Sequence, residues 1–378
     1  MLDQPLSATP LHDVHEQLGA TFTDFAGWQM PVRYTSDLAE HGAVRESAGI
    51  FDLSHMGEIH LRGAGAADAL DHAFAGRFSA MSIGRAKYSL MLTADGLGVV
   101  DDVIVYRLGE EHFLVVANAG NAVEVSREIS ERATGFEVRV EDASADTALI
   151  AVQGPASAGI ITRALTGDAG GAEGITGEDL DSLKYYRVLQ GTYEGEVLLV
   201  ARTGYTGEDG FELYVPAARA ASLWDHLRTV GGAELVPCGL ASRDTLRLEA
   251  GMPLYGHELN RDILPEQSGL GRVVALSSQG DFVGRAGLES ADREGRRVLV
   301  GLVAEGRRAA RAGSALKDAS GSVIGEVTSG VLSPTLGHPI AMAFVAPEHS
   351  EVGAELVIDV RGKDLPATVT AMPFYSRS

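Results

Sequence analysis

The strongest constraint on the fold is a change in hydrophobic pattern after about residue 285. Beyond this point short apolar segments alternate with Gly, Pro and Asp: RRVLVGLVAEG, GSVIGEVTSG, PIAMAFV, AELVIDVRG and LPATVTAMPF. Such short segments between turn residues are typical of strands in an all-β domain. The sequence therefore predicts an all-β domain over residues 290–378, with the charged stretch ESADREGRR as the linker at its start.

The first 285 residues mix helical and strand patterns without the regular alternation of a doubly wound sheet, which favours the α+β class. LAEHGAVRESAGIFDL is predicted to be a helix ending near Gly49, and the glycine-rich TGDAGGAEGITGEDLDS is predicted to be a loop. KYSLMLT, GVVDDVIVYRLG and EHFLVVANAG are predicted to be successive strands.

Composition excludes several classes of function. The chain has 378 residues with 31 basic and 52 acidic side chains, a formal charge of −21, and such a surface repels nucleic acid. No apolar run is long enough for a membrane span, and no secretory signal is evident at the N-terminus. The single cysteine, Cys238, cannot form an internal disulfide, which is consistent with a cytoplasmic protein.

The stretch RTGYTGEDGFELYV, residues 202–215, interrupts two apolar strands with three glycines and places Glu212 between Phe211 and Leu213. Glycine permits positive φ and the close approach of another group. One interpretation is a surface hairpin with a solvated acid at its base, because Glu is almost never buried unless paired. The other is a carboxylate beside a cleft, positioned to accept hydrogen bonds from a ligand.

The familiar short motifs are absent: there is no phosphate-binding GxxxxGK[ST], no GxSxG elbow and no HExxH zinc motif. His12 and His15 have a spacing that a metal could use, but two histidines near a terminus are more often surface residues. No metal site is predicted.

Eight blocks of the chain, in order and over almost its whole length, carry a family resemblance. They are FAGWQMPVRY, AVRESAGIFDLSHMGEI, YSLMLTADGLGVVDDVIVY, ALIAVQGP, RTGYTGEDGFEL, GLASRDTLRLEAGMPLYG, EVTSGVLSPTLGHPIAMAFV and MPFY. Together they resemble the aminomethyltransferase (T-protein) family of the glycine cleavage system. The resemblance implies a three-domain cloverleaf around a central folate channel, ending in a β-barrel. The folate-binding region would cover residues 1–285, as two intertwined α+β subdomains, 1–53 with 145–285 and 54–144.

The resemblance also implies an activity. Members of the family take the aminomethyl group carried on the lipoyl arm of the H-protein and pass its carbon to tetrahydrofolate, the co-substrate. The products are 5,10-methylenetetrahydrofolate, ammonia and dihydrolipoyl H-protein. The expected partners are therefore the lipoylated H-protein and a folate, with no nucleic acid, membrane or metal.

Three residues acquire roles from the family match. Glu212 matches the glutamate that binds the pterin, whose N3–H and 2-amino group form a fork of donors that suits a carboxylate. Tyr205 matches a tyrosine near the pterin. Asp102 matches the catalytic aspartate, which would offset positive charge as ammonia leaves. Asp101 and Asp102 must point to opposite faces of their strand, and both acids could instead cap the preceding turn or pair with an arginine.

Arg243 matches a folate-site arginine, plausibly for the glutamate tail of folate, although a salt bridge to Asp244 or Glu249 is an alternative. Four further residues match positions along the folate channel or beside the pterin, although aromatic side chains are more often simple core; they are Tyr88, Asn118, Tyr185 and Tyr375. Arg202 could add positive potential.

The chain departs from the family pattern at two places. Leu97 and Gly98 stand where the family has two adjacent glycines, and Gly271 and Arg272 lie near the position of a folate-contacting tryptophan. Related folate proteins remain alternatives: a demethylase of a sulfonium or methylamine substrate, a folate domain of amine oxidases, and a non-catalytic accessory protein of iron–sulfur assembly. The accessory protein is disfavoured because its cysteine motif is missing from YGHELNRDILPEQ.

Overall fold

The structure is a computed structural model that describes residues 5–167, 171–274, 276–277 and 280–377. The chain forms two compact units, each assembled from three separate segments. The first contains Met1–Leu70, Phe78–Tyr88 and Val103–Arg243. The second contains Asp71–Arg77, Ser89–Asp102 and Asp244–Ser378. The finer division of residues 1–285 into two subdomains stays a prediction.

Helices occur throughout both units. They are α1 His12–Gln17, α2 Asp37–Glu46, α3 Ala66–Ala73, α4 Ala122–Arg132, α5 Ser157–Thr166, α6 Gly177–Ser182, α7 Ala220–Gly231, α8 Leu240–Glu249 and α9 Arg285–Ser290. The prediction that α2 extends to Gly49 is wrong, because Gly49 pairs within a strand. The predicted glycine-rich loop contains α6, which Thr176 and Asp179 start with a reciprocal capping box. Residues 168–170 of that loop lie outside the described residues.

The strands follow the same order along the chain. They are β1 Thr21–Phe25, β2 Trp28–Arg33, β3 Ala48–Asp52, β4 Gly57–Arg62, β5 Ala86–Leu92, β6 Val99–Gly109, β7 His112–Ala117, β8 Arg139–Asp142, β9 Thr147–Gln153, β10 Ala172–Glu173, β11 Val188–Tyr193, β12 Glu196–Ala201, β13 Gly210–Pro216, β14 Leu235–Pro237, β15 Val298–Ala304, β16 Ala315–Lys317, β17 Val323–Leu332, β18 Pro339–Val345, β19 Glu355–Asp359 and β20 Asp364–Thr370. The α+β class is confirmed.

A seven-stranded sheet forms the centre of the first unit, in the order β10-β11-β12-β13-β9-β3-β14. On one face, apolar side chains of its strands pack with those of α5 and α7, among them Ile160 and Trp224, into a single buried core. Alternate residues point to the other face. That face includes Glu212 and Tyr214, so both sides of β13 are buried and the sheet can carry a functional group on its second side.

A second sheet has five strands in the order β5-β6-β7-β4-β8. Along β6 the residues Asp102, Ile104 and Tyr106 share one face, because side chains alternate along a strand. The Tyr106 side chain is fully buried. Its hydroxyl reaches residues of the seven-stranded sheet, so the two sheets meet through this side chain within the first unit.

The C-terminal strands close into a barrel in the order β15-β18-β17-β16-β19-β20. All five predicted strands are present, and the predicted β-barrel is confirmed. β16 was not predicted, because it has only three residues and its pairing with β17 shifts register between Leu316 and Lys317. The barrel interior is filled by alternating apolar side chains such as Leu302, Ala343 and Ile358.

The departure from two adjacent glycines before β6 has a steric explanation. Gly96 has a positive φ of 73°, a conformation that favours glycine, whereas Leu97 has no positive φ and is 38% exposed. A Cβ at Gly98 would lie 1.8 Å from the carbonyl oxygen of Arg261. The turn therefore requires glycine at positions 96 and 98 and tolerates leucine between them.

We expect Gly98→Ala to destabilise the protein by at least about 2 kcal/mol, because a backbone carbonyl must move to admit the methyl group. The matched control is Leu97→Ala, which trims an exposed side chain and should change the free energy of unfolding by less than about 0.5 kcal/mol. Urea denaturation of both variants measures the difference. Equal stability of the two variants would contradict the steric account.

Candidate functional site

The glycine turn between β12 and β13 is built around Gln153, the last residue of β9. A Cβ at Gly204 would lie 2.0 Å from Oε1 of Gln153, and a Cβ at Gly210 would lie 2.3 Å from its Nε2. The amide nitrogen of Gln153 donates to the carbonyl of Thr203 (3.0 Å), and its oxygen accepts from the Thr206 hydroxyl (2.9 Å). These two glycines thus admit a protein side chain that fixes the turn.

Two arginines hold the same turn from outside. Arg45 donates to the carbonyl of Thr206 and to Glu208, each at 2.8 Å, and both members of this ion pair are buried. Arg202 forms a two-pronged pair with Asp209 at 2.9 and 2.5 Å. Asp209 neutralises the positive charge of Arg202. The guanidinium therefore stabilises the turn and adds little positive electrostatic potential.

Glu212 lies next to this rigid turn and is only 6% exposed, so the surface-hairpin interpretation is wrong. Its Oε2 accepts hydrogen bonds from the hydroxyls of Thr203 and, more weakly, Tyr106 (3.5 Å). Burial raises the pKa of Glu212, although Thr203, the charge of Arg243 and Tyr106 oppose the shift. Oε1 accepts no hydrogen bond from the part of the chain that the structure describes. The carboxylate therefore keeps acceptor capacity for a ligand.

Arg243, in the first turn of α8, lies with its guanidinium carbon 4.9 Å from the ring centre of Tyr205. Burial lowers the pKa of Arg243, and Glu212 and Tyr205 oppose that shift. Glu212 and Arg243 thus influence each other electrostatically, yet they form no ion pair among the described residues. Nη1 of Arg243 is buried and lacks a hydrogen-bond partner within the described ranges.

The alternative in which Arg243 forms a salt bridge on its own helix is wrong. Asp244 pairs with Arg247 at 2.8 Å. The Glu249 carboxylate accepts from the hydroxyls of Ser333 (2.5 Å) and Thr335 (2.7 Å). Arg243 is thereby left as a buried cation that interacts electrostatically with Glu212.

His55 is a candidate that the sequence did not reveal. It is 4% exposed, its ring lies edge-on to Phe25, and its Nδ1 is buried without a hydrogen-bond partner in the described part of the chain. Burial lowers the pKa of His55 to about 4, with Arg243 adding to the shift and Asp52 opposing it. Its only sequence signal was membership of the block AVRESAGIFDLSHMGEI, which gives no hint of an unpaired nitrogen.

Asp52, at the end of β3, fixes the turn that carries His55. It accepts hydrogen bonds from His15 (2.9 Å), the Thr9 hydroxyl (2.6 Å) and the backbone N–H of Ser54 (2.9 Å). Burial alone would raise the pKa of Asp52, but these hydrogen bonds and His15 outweigh burial and hold the pKa below its usual value. His15 is therefore a buried structural residue, and the expectation that it lies at the surface is wrong.

The aspartate pair of β6 divides as strand alternation predicts. Asp101 is fully buried and Asp102 is half-buried, on opposite faces of the strand. Both belong to the second unit, in the segment Ser89–Asp102. Both have polar or electrostatic contacts. The catalytic role of Asp102 stays a prediction.

The remaining predicted site residues are distributed over both units. Tyr88, on β5, and Asn118, just after β7, are half-buried residues of the first unit. Tyr185 is 44% exposed and its ring lies 4.9 Å from that of Tyr186. Tyr375 belongs to the second unit, where its backbone N–H donates to the carbonyl of Glu249 (2.8 Å). Their roles in binding folate stay predictions.

The turn that replaces the family tryptophan contributes no aromatic surface. Gly271 and Arg272 are both exposed, shortly after the short helix Pro265–Ser268. The described residues contain no group of three or more His, Cys, Asp or Glu placed to hold a metal ion. Within the same ranges, none of the helices combines the length and apolarity that crossing a bilayer requires.

Glu58 of β4 is a buried acid of the first unit without a compensating partner among the described residues. It is fully buried, and neither carboxylate oxygen has a hydrogen-bond partner among the described residues. Burial, with a smaller effect of Asp142, raises the pKa of Glu58 well above its usual value. The folded protein therefore holds Glu58 protonated while the unfolded chain loses that proton above about pH 4.5.

We expect Glu58→Gln to be more stable than the wild type at pH 8 and equally stable near pH 4. The advantage should grow by about 1.4 kcal/mol for each pH unit between the unfolded and the folded pKa, because the wild type must retain a proton that the unfolded state releases. Urea denaturation across this pH range, with exposed Glu196→Gln as the control, measures it. Parallel stability curves for Glu58→Gln and wild type would contradict the expectation.

Comparison with known proteins agrees with the geometry. Residues 11–278 match the family described as the GCVT N-terminal domain, and residues 297–376 match the glycine cleavage T-protein C-terminal barrel domain. Proteins named aminomethyltransferase from Cutibacterium acnes and Saccharopolyspora erythraea are 59% and 52% identical, over 99% and 98% of both chains respectively.

A solved structure gives the same result for the fold. The glycine cleavage system aminomethyltransferase T from Bartonella henselae superposes with a TM-score of 0.89, at 36% identity over 98% of both chains. The resemblance noted in the sequence is confirmed across both matched regions. The chain therefore belongs to the aminomethyltransferase (T-protein) family of the glycine cleavage system, whose members are tetrahydrofolate-dependent transferases.

Proposed function

We propose that this protein transfers the aminomethyl carbon from the lipoyl arm of the glycine cleavage H-protein to tetrahydrofolate. The carbon–sulfur bond to the lipoyl arm and the carbon–nitrogen bond to the departing amine break, and two bonds to N5 and N10 of the folate form. The two folate protons pass to the sulfur and the amine. The products are 5,10-methylenetetrahydrofolate, ammonia and dihydrolipoyl H-protein.

One observation carries the folate part of the proposal: a buried carboxylate and a buried guanidinium interact electrostatically and form no ion pair among the described residues. Glu212 keeps Oε1 for a ligand, and Arg243 keeps Nη1. A reduced pterin presents its 2-amino group and N3–H as adjacent donors, followed by the 4-oxo oxygen as an acceptor. The Glu212 carboxylate suits the two donors, and the Arg243 guanidinium suits the acceptor. Both contacts would be charge-assisted hydrogen bonds, which are strong and directional.

The match of Glu212 and Arg243 to the polar edge of the pterin favours a role for Arg243 that differs from the sequence prediction, in which it binds the glutamate tail of folate. A guanidinium that is coupled to Glu212 suits the 4-oxo oxygen beside N3 better than the distant glutamate tail of folate. The ring of Tyr205 lies within cation–π distance of the guanidinium and helps to hold it in place. The tail carboxylate would then bind elsewhere.

Asp102 is proposed to act on the transferred carbon. It shares a face of β6 with Tyr106, whose hydroxyl contacts Glu212. It is the half-buried member of the aspartate pair and so is the one that a substrate can reach. A carboxylate at this place stabilises positive charge that develops as ammonia departs and orients the attacking amine.

The test is a coupled assay with the purified chain, aminomethyl-loaded H-protein and tetrahydrofolate. We expect methylenetetrahydrofolate and ammonia in equal amounts, and no product when the H-protein lacks its lipoyl group. A parallel reaction offers a sulfonium methyl donor in place of the H-protein. Methyl transfer from that donor, with no ammonia from the loaded H-protein, would overturn the proposal in favour of a demethylase.

A further inference from the structure

Five buried side-chain nitrogen atoms of the first unit lack hydrogen-bond partners among its described residues, and two of them, Nδ1 of His55 and Nη1 of Arg243, belong to residues that interact electrostatically with each other. An unsatisfied buried polar group costs about 1–3 kcal/mol, and most buried polar groups in proteins are paired. His55 is only 4% exposed, so bulk water has little access to replace the missing hydrogen bond. A pair of such atoms in one region indicates a missing acceptor.

The topology brings the two residues to the same edge of the seven-stranded sheet. β3 and β14 are neighbouring parallel strands, with Ala48 opposite Leu235 and Ile50 opposite Pro237. Parallel strands end at the same edge, so the turn after β3 and the helix after β14 begin side by side. His55 lies three residues beyond β3, and Arg243 lies in the first turn of α8.

The turn that carries His55 is held rigidly. Asp52 accepts from the backbone N–H of Ser54 (2.9 Å), and the N–H of Met56 donates to the carbonyl of Leu53 (3.0 Å). The ring of Phe25 lies edge-on to the imidazole at 5.5 Å between ring centres. An orientation fixed in this way, with the nitrogen left unpaired, is what a preorganised binding group requires.

The chemistry of the pair selects the kind of ligand atom. Arg243 has only donors, so its partner must be an acceptor. Because burial lowers the pKa of His55 to about 4, the imidazole is neutral at neutral pH and carries one N–H. With the proton on Nδ1, the imidazole and the guanidinium can both donate to a single oxygen.

We propose that His55 is a substrate-binding residue that donates a hydrogen bond from Nδ1 to the 4-oxo oxygen of the tetrahydrofolate pterin, beside Arg243. The inference rests on the proposed function, which places the adjacent N3–H and 2-amino group on Glu212. It adds a neutral donor, so that the oxygen is bound from two sides without a second positive charge in the site.

The test measures binding of tetrahydrofolate and of its 4-amino-4-deoxy analogue, in which a donor amine replaces the acceptor oxygen and N3 carries no hydrogen, so the effect of each His55 variant is compared between the two ligands. Three variants are compared. His55→Leu removes the donor and keeps the bulk, His55→Asn places an amide nitrogen near the position of Nδ1, and His55→Gln places one near Nε2. The melting temperature of each ligand-free variant is measured alongside.

For His55→Leu we expect the Kd of tetrahydrofolate to rise about 10-fold, and the Kd of the analogue to change less than twofold. His55→Asn should recover binding to within about threefold of wild type, while His55→Gln should not. The melting temperature of ligand-free His55→Leu should equal or exceed that of wild type, because an unpaired polar atom has been removed.

Other results would overturn the inference. Equal weakening of both ligands by His55→Leu, or a large fall in its ligand-free melting temperature, would make His55 a packing residue. Recovery by Gln and not by Asn would assign contact to the other ring nitrogen. If wild type binds tetrahydrofolate and prefers it no more than the analogue, the 4-oxo assignment fails while the proposed function stands. Absence of tetrahydrofolate binding by wild type would remove both.

Discussion

Asp102→Asn should bind tetrahydrofolate within a few-fold of wild type and lose turnover by about 10²-fold or more. The substitution preserves shape and removes the negative charge that would stabilise positive charge as ammonia leaves. Preorganised electrostatic groups of this kind typically contribute two to three orders of magnitude to turnover. Single-turnover kinetics with aminomethyl-loaded H-protein, together with the Kd for folate, separate the chemical step from binding.

The matched control for this variant is Asp101→Asn, one residue earlier on β6. Asp101 is fully buried and points to the opposite face of the strand. Its substitution should lower the melting temperature and leave single-turnover chemistry within a few-fold of wild type. Turnover near wild type for Asp102→Asn, or an equal loss for both variants, would remove Asp102 from the mechanism.

Glu212→Gln should raise the Kd of tetrahydrofolate by about 10²-fold. The amide keeps the shape of the side chain but replaces one acceptor by a donor, which would face a donor of the pterin. A hydrogen bond to a charged group contributes about 1.5–3 kcal/mol, and an unpaired buried donor adds to the loss. Equilibrium binding of tetrahydrofolate under anaerobic conditions measures the change.

Glu208→Gln is the control for charge removal in the same region. Glu208 is also buried, but Arg45 already occupies its carboxylate at 2.8 Å. This variant should lose stability and keep most of its affinity for folate once folded. If Glu208→Gln weakened binding as much as Glu212→Gln, the effect would come from the turn and the pterin contact would have no support.

The two glutamates also show why stability should respond differently to their removal. Burial raises the pKa of Glu212, because ionisation of the buried carboxyl group costs free energy in the folded, ligand-free protein. Gln at position 212 should therefore leave the ligand-free protein as stable as wild type, or more so, above about pH 5. Loss of affinity without loss of stability is the signature expected of a binding group.

Strand and helix positions could be predicted from sequence where a regular pattern ran long enough. The five predicted C-terminal strands are correct, because short apolar segments bounded by turn residues gave a clear pattern. The errors occurred where a local signal was short or masked. β16 has three residues, α6 begins inside a glycine-rich stretch, and the helical pattern of α2 continued past Glu46 into β3.

The sequence proposes residues for the candidate site, but it could not reveal their surroundings. The position of Glu212 between Phe211 and Leu213 left open a solvated or a buried carboxylate, because the sequence could not show that both faces of β13 are buried. The glycines of the turn suggested room for a ligand, whereas two of them admit the amide of Gln153, about 50 residues earlier in the chain. Such a contact between distant segments leaves no local pattern.

The sequence by itself determined the family through its ordered motifs and the α+β and all-β regions through local periodicity, and it predicted the acids and the arginine of the candidate site. Only the tertiary structure decided that Glu212 is buried, that it interacts electrostatically with Arg243 without a salt bridge among the described residues, and that Nδ1 of His55 has no partner there. The reason is physical. Burial, electrostatic coupling and hydrogen-bond satisfaction depend on which distant segments meet, and a one-dimensional pattern does not contain that information.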